Sequence, residues 1–551
     1  MAKKSTKYIF VVGGVMSGVG KGVATSSVAK ILQAKGFSVT SVKIDPYVNV
    51  DAGTMNPTEH GEVFVLDDGT ECDQDLGNYE RFLDKTFTKT NYMTTGSVYQ
   101  SVINRERNLG YHGKCVEVVP HIPLEVIRRI KRAAKESRAS IVTSEIGGTV
   151  GEYQNILFLE AIRMLKLKNP NDVLLILVSY LPIQNKDSEL KTKPTQYAVR
   201  TLNSTGLQPD IIIARSAHPL DKKRKEKIAF SCNMREEDII SAPDIESIYD
   251  VPINFEKDNL SKNILKKLNL KTKKHDLREW RNLTLKIKNA KKEIKIGIVG
   301  KYFDTGDFVL TDSYISVIEA VKHASYSLNL KPVIVWIDSQ GFEGNSKRAK
   351  EKIKELKKLN GIIVPGGFGG RGIEGKIAAI NYCRKNKIPY FGLCYGMQFL
   401  IVEFARNVAQ FKDAHTTEVN QKTPHPVIDI LPEQKENIEA KNYGATMRLG
   451  TYKAKLENNT IAREAYGKSS IFERHRHRYE VNPNYIEKLE KKGLIFSGFS
   501  SDRRLMEIAE LSRESHPFFL GTQFHPEFKS RPLHPHPLFI EFIKEANKRK
   551  I

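Results

Sequence analysis

A cysteine flanked by two glycines is the residue whose setting most directly indicates chemistry. An apolar run over residues 388–393 leads into Gly392, Cys394 and Gly396, and a helical pattern follows. Small residues two positions before and after a nucleophile allow it to occupy a sharp, strained turn where a Cβ would clash. The start of the following helix would favour a thiolate and a developing oxyanion. We predict that Cys394 is a nucleophile; the alternative is a buried, inert cysteine.

A histidine and a glutamate farther along the chain supply the partners that such a nucleophile needs. His525 and Glu527 stand two positions apart in an extended segment, so their side chains share a face. An imidazole base and a carboxylate that orients it would complete a Cys-His-Glu triad, in which Cys394 attacks the carbon of an amide. The glycine-rich run 364–372 offers unobstructed N–H groups, and with the N–H of Tyr395 it predicts an oxyanion hole.

A second glycine-rich run, at residues 13–22, indicates a phosphate site. It follows an apolar strand at 8–12 and precedes a helical pattern at 23–34, the context of a phosphate cradle at a helix N-terminus. The usual spacing is not met, because Val15 occupies the first glycine position and Gly22 replaces the hydroxyl residue. If Lys21 neutralises the β- and γ-phosphates, magnesium needs carboxylate ligands from elsewhere. Glu145, at the end of a buried strand, and Asp73, in an acidic loop, are the candidates.

The elements that must position these residues form two α/β patterns. Apolar strands at 8–12, 38–44, 140–146, 173–178 and 210–214 alternate with helical patterns, which predicts a parallel sheet covered on both faces. Strands at 294–299, 332–337, 361–364 and 389–393 begin a second α/β pattern. We predict two doubly wound α/β domains, 1–256 and 294–545. A basic linker of amphipathic helices at 257–293 joins them, and a tail at 546–551 follows.

Composition restricts the class of protein. With 551 residues, 40% of them hydrophobic and 27% charged, the chain has the balance of a multi-domain globular protein. No stretch approaches the roughly 20 apolar residues of a membrane span, and the five cysteines lack CxxC spacing, so we expect no signal peptide, no membrane anchor and a cytoplasmic protein. The net charge of +23 is partly local, since residues 257–295 hold 14 Lys/Arg against 4 Asp/Glu. This pattern favours polyphosphate attraction or a solvated helical face, and we expect no nucleic-acid binding.

Two resemblances follow from these motifs. The order Pro-Gly-Gly, Gly-x-Cys-x-Gly and His-Pro-Glu over residues 294–543 resembles the class I glutamine amidotransferases, which implies a glutaminase that releases ammonia. The blocks at 43–51, 60–65, 145–151, 191–196 and 473–480 resemble the CTP synthase family over nearly the whole chain. That resemblance implies a P-loop-like synthetase domain before the glutaminase domain. It also implies that ATP phosphorylates UTP at O4 and that ammonia then displaces the phosphate at C4 to give CTP.

The resemblance to the CTP synthase family also implies binding residues. ATP would be bound by the phosphate loop and one acidic residue: Ser17, Gly18, Val19, Gly20, Lys21, Gly22 and Asp73. UTP or CTP would be bound by Ser17, Lys43, Glu152, Tyr153, Gln154, Lys191, Thr192, Lys193, Pro194, Thr195, Gln196 and Lys227. Glutamine would be bound by Gly367, Tyr395, Gly396, Met397, Gln398, Glu418 and Arg478, where a carboxylate and a guanidinium suit its α-amino and α-carboxylate groups. His60 would be placed as the gate on the ammonia route.

The family further implies regulation and assembly. Its members form homotetramers with pyrimidine sites at subunit interfaces, use magnesium with ATP, are activated by GTP and are inhibited by CTP. Two departures bear on this regulation. Residues 152–154 read Glu-Tyr-Gln where the family usually reads Asp-Ile-Glu, so we expect weakened CTP inhibition or a reshaped pocket. Residues 303–311 form a longer segment than the family's, near where the effector is expected, so GTP activation is in question.

Three other functions remain open at this point. A related synthetase with a glutaminase domain could amidate a carboxylate, but the blocks 191–196 and 473–480 argue against it. A non-catalytic filament-forming or nucleotide-sensing protein would have no physical reason to keep strained or costly residues such as Cys394 and Glu145. A nucleic-acid binder built on the basic linker should show salt-dependent retention on DNA.

Overall fold

The computed structural model describes residues 5–184, 189–272, 276–300, 311–344, 346–431, 434 and 444–551. It divides into two compact units, one of residues 1–52 and 75–284 and one of residues 53–74 and 285–551. Both are α/β, and the predicted fold class is confirmed. The question of GTP activation rests on the segment 303–311, of which residues 303–310 lie outside the described residues.

Strands are numbered along the chain. They are β1 Lys7–Gly13, β2 Val39–Asp45, β3 Val63–Val65, β4 Glu71–Asp73, β5 Tyr92–Thr94, β6 Ile141–Thr149, β7 Val173–Tyr180, β8 Ile183–Gln184, β9 Glu189–Leu190, β10 Ile211–Ser216, β11 Ile239–Pro243, β12 Lys292–Gly300, β13 Leu330–Asp338, β14 Gly361–Val364, β15 Tyr390–Leu393, β16 His415–Thr416, β17 Pro426–Ile430, β18 Arg448–Leu456, β19 Ser470–His477, β20 Tyr479–Val481, β21 Ile495–Ser500, β22 Met506–Glu510 and β23 Phe519–Thr522.

The α-helices of the described residues are given by their bounds. They are Lys21–Ala34, Pro57–His60, Asp75–Leu83, Thr95–Arg107, Val118–Glu136, Ile156–Lys168, Lys193–Ser204, Lys222–Ser231, Val251–Lys257, Leu260–Lys267, Arg278–Asn289, Ile315–Ser327, Lys347–Lys352, Ile373–Lys385, Tyr395–Asn407, Ile461–Tyr466, Pro483–Glu490 and Pro537–Lys548.

The first unit is built on a seven-stranded parallel sheet in the order β11-β10-β7-β1-β6-β2-β5. Its central strands are apolar along their length, as in β7, and they are buried on both faces by the helices. The sequence patterns located five of the seven strands and missed the edge strands β5 and β11. Both missed strands are short, at three and five residues, which leaves little periodicity to detect.

The amphipathic helices predicted near residues 260–287 are present. Leu260, Ile264 and Trp280 are buried, and the Trp280 ring contacts Phe82 and Tyr249 at centroid distances of 5.1 and 5.7 Å. Residues up to 284 therefore pack as part of the first unit. The domain bounds proposed from sequence remain predictions.

The second unit is built on a nine-stranded sheet in the order β13-β12-β14-β15-β23-β22-β21-β18-β19. Strands β12, β13, β14, β15 and β23 run parallel, and the remaining strands pair antiparallel. The β3-β4 hairpin of residues 53–74 also belongs to this unit. The register between β15 and β23 pairs Gly392 with Gly521 and Leu393 with Thr522, so the residues after both strands emerge side by side. No α-helix among the described residues has the length and apolar character to span a bilayer.

Candidate functional site

Cys394 lies on a strained turn between β15 and the helix Tyr395–Asn407. Its backbone angles are φ 50° and ψ −98°, a region that residues with a Cβ rarely adopt. Its N–H donates to the carbonyl of Thr522 at 2.6 Å, and the residue is 4% exposed. Strain of this kind persists only where the surrounding structure over-determines it, and it is concentrated at functional sites.

The glycines around Cys394 are required by close packing. A Cβ at Gly392 would lie 2.6 Å from the backbone carbon of Gly396, and a Cβ at Gly396 would lie 2.2 Å from the carbonyl oxygen of Val364. A Cβ at Gly366 would lie 2.9 Å from Cε1 of His525 and 3.7 Å from Cβ of Cys394. The glycines therefore let the turn, the glycine-rich loop and the imidazole approach one another.

The structure brings His525 and Glu527 to the same cavity as Cys394. Nδ1 of His525 lies 2.7 Å from a Glu527 carboxylate oxygen, and the Phe528 ring stacks on the imidazole at 4.9 Å. Burial by itself would lower the pKa of His525, but the Glu527 carboxylate and the Cys394 sulfur outweigh it and raise that pKa to about 10. Both of these neighbours favour the protonated form of the imidazole.

Two cavities meet at Cys394. The first, of about 240 Å³, is lined by nine residues: Gly367, Phe368, Cys394, Tyr395, Gln398, Glu418, His477, Arg478 and Tyr479. It brings together five of the seven residues predicted to bind glutamine. The other two are Gly396, which packs on Val364, and Met397, whose buried side chain lies over Gly521. This cavity is lined by a carboxylate and a guanidinium as well as by Cys394.

The second cavity, of about 70 Å³, lies on the side of Cys394 that faces residues 57–63 of the same unit. Pro57, Val63, Arg476 and Phe528 line it together with His525. Nε of Arg476 donates to Glu71 at 2.8 Å, which holds the guanidinium in the wall. His60 is not among the lining residues; its Nε2 lies 3.5 Å from Asp73.

The phosphate loop of the first unit ends at Gly20, whose φ of 87° is left-handed, and Lys21 begins the next helix. A Cβ at Gly13 would lie 2.9 Å from Nζ of Lys21, so the lysine folds back over the loop. Burial lowers the pKa of Lys21. Ser17 and Gly18 are exposed and Val19 is buried. The loop thus has the form of a phosphate cradle at a helix N-terminus.

Gly22 replaces the usual hydroxyl residue because a carboxylate occupies the space. A Cβ at Gly22 would lie 1.8 Å from Oδ1 of Asp75. Asp75 pairs with Lys43, and Nζ of Lys43 also donates to Glu145 at 3.0 Å. Burial, reinforced by the nearby Asp75 carboxylate, raises the pKa of Glu145 to about 7. The sequence predicts Asp73 as a magnesium ligand, and this stays a prediction. Asp75, which the sequence patterns did not single out, lies in this cluster, and the glycine at position 22 is the available signal for it.

A further cavity beside the loop was also missed from sequence. It measures about 250 Å³ and is lined by Gly20, Val23, Arg215, Asp244, Ile245 and Phe255, with other apolar residues. Arg215 donates to Asp244 at 2.7 Å. These residues belong to separate elements, so no local motif marked them.

The residues predicted to bind UTP or CTP are of two kinds. Thr192, Thr195 and Gln196 are buried and hydrogen-bond within the unit, with Gln196 donating to Thr192 at 3.1 Å and Thr195 lying 2.8 Å from Ser179. Lys43 is also buried, in the ion-pair cluster with Asp75 and Glu145. The others are at least partly exposed: Ser17, Glu152, Tyr153, Gln154, Lys191, Lys193, Pro194 and Lys227. Tyr153 is 93% exposed. Gln154 donates to Glu152 at 2.8 Å, so the departure from the family pattern forms a local pair.

Comparisons with known proteins assign a family to each half of the chain. Residues 7–270 match the family described as CTP synthase N-terminus, and residues 309–545 match the family described as Glutamine amidotransferase class-I. A CTP synthase of Carboxydothermus hydrogenoformans is 52% identical over 545 residues, covering 98% of this chain and 99% of the relative. A CTP synthase of Thermococcus gammatolerans is 49% identical over 547 residues, covering 99% of both chains.

Among solved structures, the glutaminase domain of Trypanosoma brucei CTPS with bound acivicin is 38% identical. It covers 47% of this chain and 95% of that chain, with a TM-score of 0.43. The sequence matches to the two CTP synthases extend over both units of this chain. The chain therefore belongs to the CTP synthase family, whose members are glutamine-dependent amidoligases.

Proposed function

We propose that this enzyme aminates UTP to CTP through 4-phospho-UTP, with ammonia from glutamine hydrolysed at Cys394. One observation carries the proposal: a strained cysteine with a His525–Glu527 pair occurs in the same chain as a phosphate loop with a buried Lys43–Glu145 cluster. The first arrangement suits amide hydrolysis and the second suits phosphoryl transfer. ATP, UTP and glutamine are the substrates that the family implies.

In the glutaminase, the Cys394 thiolate attacks the carboxamide carbon of glutamine. Glu418 and Arg478 hold the α-amino and α-carboxylate groups in the 240 Å³ cavity. Backbone N–H groups of Gly367 and Tyr395 stabilise the oxyanion, and the His525 imidazolium protonates the departing ammonia. His525 then takes a proton from water, which attacks the thioester carbon and releases glutamate and the free thiolate.

Ammonia leaves by the 70 Å³ cavity, whose lining includes the apolar side chains of Pro57, Val63 and Phe528. Neutral ammonia passes an apolar wall more readily than ammonium does, because a cation pays a large desolvation cost. Such a path supports delivery to the synthetase site without release, with His60 retained as the proposed gate.

In the synthetase, Lys21 and Lys43 offset the charge of the transferred phosphoryl group. We propose Asp75 and Glu145 as the carboxylates for magnesium, with Asp75 in place of Asp73, because both pair with Lys43 and Asp75 lies directly over the phosphate loop. Magnesium bound there would supply positive charge to the ATP phosphates. The cavity lined by Arg215, Ile245 and Phe255 suits the base of the nucleotide.

UTP recognition by Lys191, Lys193 and Lys227, inhibition by CTP, activation by GTP and assembly into a cytoplasmic homotetramer are proposed from family membership. The exposed Tyr153 and the Glu152–Gln154 pair support a reshaped CTP pocket. Amidation of a carboxylate substrate is the alternative reaction, and the relatives named CTP synthase weigh against it.

The test follows the absorbance change from UTP to CTP with ATP and magnesium, supplying either glutamine or ammonium chloride. Wild type is expected to use both nitrogen sources and Cys394→Ala only ammonium, because the thiolate acts in amide hydrolysis alone. Cys115→Ala is the matched control, since Cys115 is exposed and lies far in sequence from the Gly-x-Cys-x-Gly turn at 392–396. If neither source yields CTP while glutamine is still hydrolysed, the glutaminase assignment stands and the acceptor assignment is wrong.

A further inference from the structure

The side chain of Gln523 lies against the nucleophile and has no place in the triad. Nε2 of Gln523 is 3.6 Å from Sγ of Cys394, a normal length for an N–H donor to the larger sulfur atom. Gln523 is fully buried, at 0% exposure. Burying an amide costs free energy unless its N–H and C=O groups are hydrogen-bonded, so the partners of the Gln523 amide determine its orientation.

The hydrogen-bond network fixes which end of the Gln523 amide faces the sulfur. The carbonyl of Tyr479 can only accept, so the Gln398 atom 3.1 Å from it is the donor Nε2. The same Nε2 lies 3.3 Å from Gln523, which must present its oxygen there. The NH₂ end of Gln523 is therefore directed to Cys394.

The backbone holds this amide in place from both sides. Gln523 follows β23 directly, and its N–H donates to the carbonyl of Glu507 at 2.8 Å. The preceding residue, Thr522, accepts from the N–H of Cys394. Because the sheet register sets both residues, the donor is preorganised and needs no rearrangement when charge develops on sulfur.

Titratable groups also lie around Cys394. His525 and Glu527 follow β23, Arg476 and His477 end β19, and Arg478 and Glu418 line the glutamine cavity. Glu62 lines the second cavity. Gln523, in contrast, is a neutral donor to the Cys394 sulfur. Its amide does not titrate, so its hydrogen bond to the sulfur is available at every pH of the assay.

We propose that Gln523 donates a hydrogen bond to Cys394 Sγ that stabilises the resting thiolate, with Gln398 as the positioning residue that keeps the amide from rotating. The bond weakens as the sulfur gives up its charge to the amide carbon and forms again when the thioester is cleaved. The inference rests on the proposed glutaminase and adds a residue to it. Sequence patterns gave no sign of this role, because residues 394 and 523 are 129 positions apart.

The test measures thiolate character without glutamine. The rate of iodoacetamide alkylation at Cys394 is followed against pH in the full-length protein, with peptide mass spectrometry to separate the five cysteines. Gln523→Met, which keeps the volume and removes the donor, is expected to move the alkylation midpoint upward by about one pH unit, since one unit equals a tenfold change in thiolate fraction. Gln398→Met is expected to move it in the same direction by less.

Three controls accompany this measurement. The exposed Cys115 of each variant should keep its wild-type profile. Gln33→Met removes an amide that donates to the Leu83 carbonyl and should leave the Cys394 midpoint unchanged. Wild-type glutamine hydrolysis, run alongside, tests the proposed function separately from this inference.

Unchanged midpoints in the folded Gln523→Met protein would overturn the proposal. If Gln523→Met does not fold, Gln398→Met decides: an upward shift supports the proposal, and a wild-type profile overturns it.

Discussion

At the scale of single residues, opposing contributions set the protonation state of the His525 imidazole. Burial favours the neutral form of His525, whereas the Glu527 carboxylate and the Cys394 sulfur favour the protonated form and prevail. Because the pKa in the folded protein lies above the ordinary value of about 6.5, the imidazolium persists from below that value up to about pH 10. In the proposed mechanism, this imidazolium supplies the proton that ammonia needs on departure.

Glu527→Gln is expected to remove most of this effect. Without the carboxylate, only the Cys394 sulfur opposes burial, so the pKa of His525 falls and the basic limb of the pH profile for glutamine hydrolysis moves to lower pH. The rate at neutral pH should fall by roughly 10² or more. The measurement is kcat/KM for glutamate release against pH.

Glu514→Gln is the control for Glu527→Gln, because Glu514 is an exposed glutamate on the preceding loop. A basic limb that stays at the wild-type position in Glu527→Gln would mean that Glu527 does not set the state of His525.

At the scale of elements, two helices of the first unit approach closely because one glycine permits it. The helices Lys21–Ala34 and Asp75–Leu83 bring Gly22 under the Asp75 carboxylate, where any Cβ would lie within 1.8 Å of an oxygen. Real Cβ atoms do not approach an oxygen so closely, so a side chain at position 22 must displace Asp75. The departure from the usual phosphate-loop pattern is therefore part of the packing of these helices.

Gly22→Ala is expected to abolish CTP formation with either nitrogen source while glutamine hydrolysis persists. The added methyl group displaces Asp75 from Lys43, which disturbs the proposed magnesium and ATP site but not the second unit. Rates of CTP formation with ammonium and of glutamate release measure the two activities. Gly444→Ala is the control, because a Cβ at Gly444 would meet only Cγ2 of Thr54, at an ordinary contact distance of 3.9 Å. Wild-type rates in Gly22→Ala would contradict this prediction.

At the scale of the whole molecule, the chain crosses between its two compact units more than once. Residues 53–74 pack with the second unit, although the residues before and after them belong to the first. The fully buried Arg474 donates to Asp67 at 2.5 Å and to the Val65 carbonyl at 3.1 Å, and Arg476 donates to Glu71. The β3-β4 hairpin is thus held by charged contacts with β19.

Arg474→Met is expected to loosen this hairpin locally. The Asp67 carboxylate is partly exposed and water replaces some of the lost contact, so the cost is about 1.5 kcal/mol, and amide hydrogen exchange over residues 63–73 should accelerate by roughly 10-fold. Strand β7 of the first unit should exchange as in wild type. Arg504→Met removes an exposed arginine of the second unit and serves as the control. Unchanged exchange over 63–73 would show that Arg474 does not hold the hairpin.

The sequence by itself determined the local features of this protein. Long apolar runs such as residues 173–178 lie in central strands, because a strand covered on both faces must be apolar along its length. The Gly-x-Cys-x-Gly turn was recognisable because its steric requirement falls within five consecutive residues. The His-x-Glu pair at 525–527 was recognisable for the same reason. The sequence blocks that resemble the CTP synthase family indicated the family of both halves of the chain.

Only the tertiary structure decided which distant residues share a site. Asp75 lies over Gly22, Gln523 contacts Cys394, and residues 53–74 pack with the second unit, and none of these contacts has a local sequence pattern. The 250 Å³ cavity lined by Arg215 and Phe255 likewise combines side chains from separate elements. Such contacts arise from sheet register and helix packing, which depend on the whole chain, whereas motifs record only steric and chemical needs between neighbours in sequence.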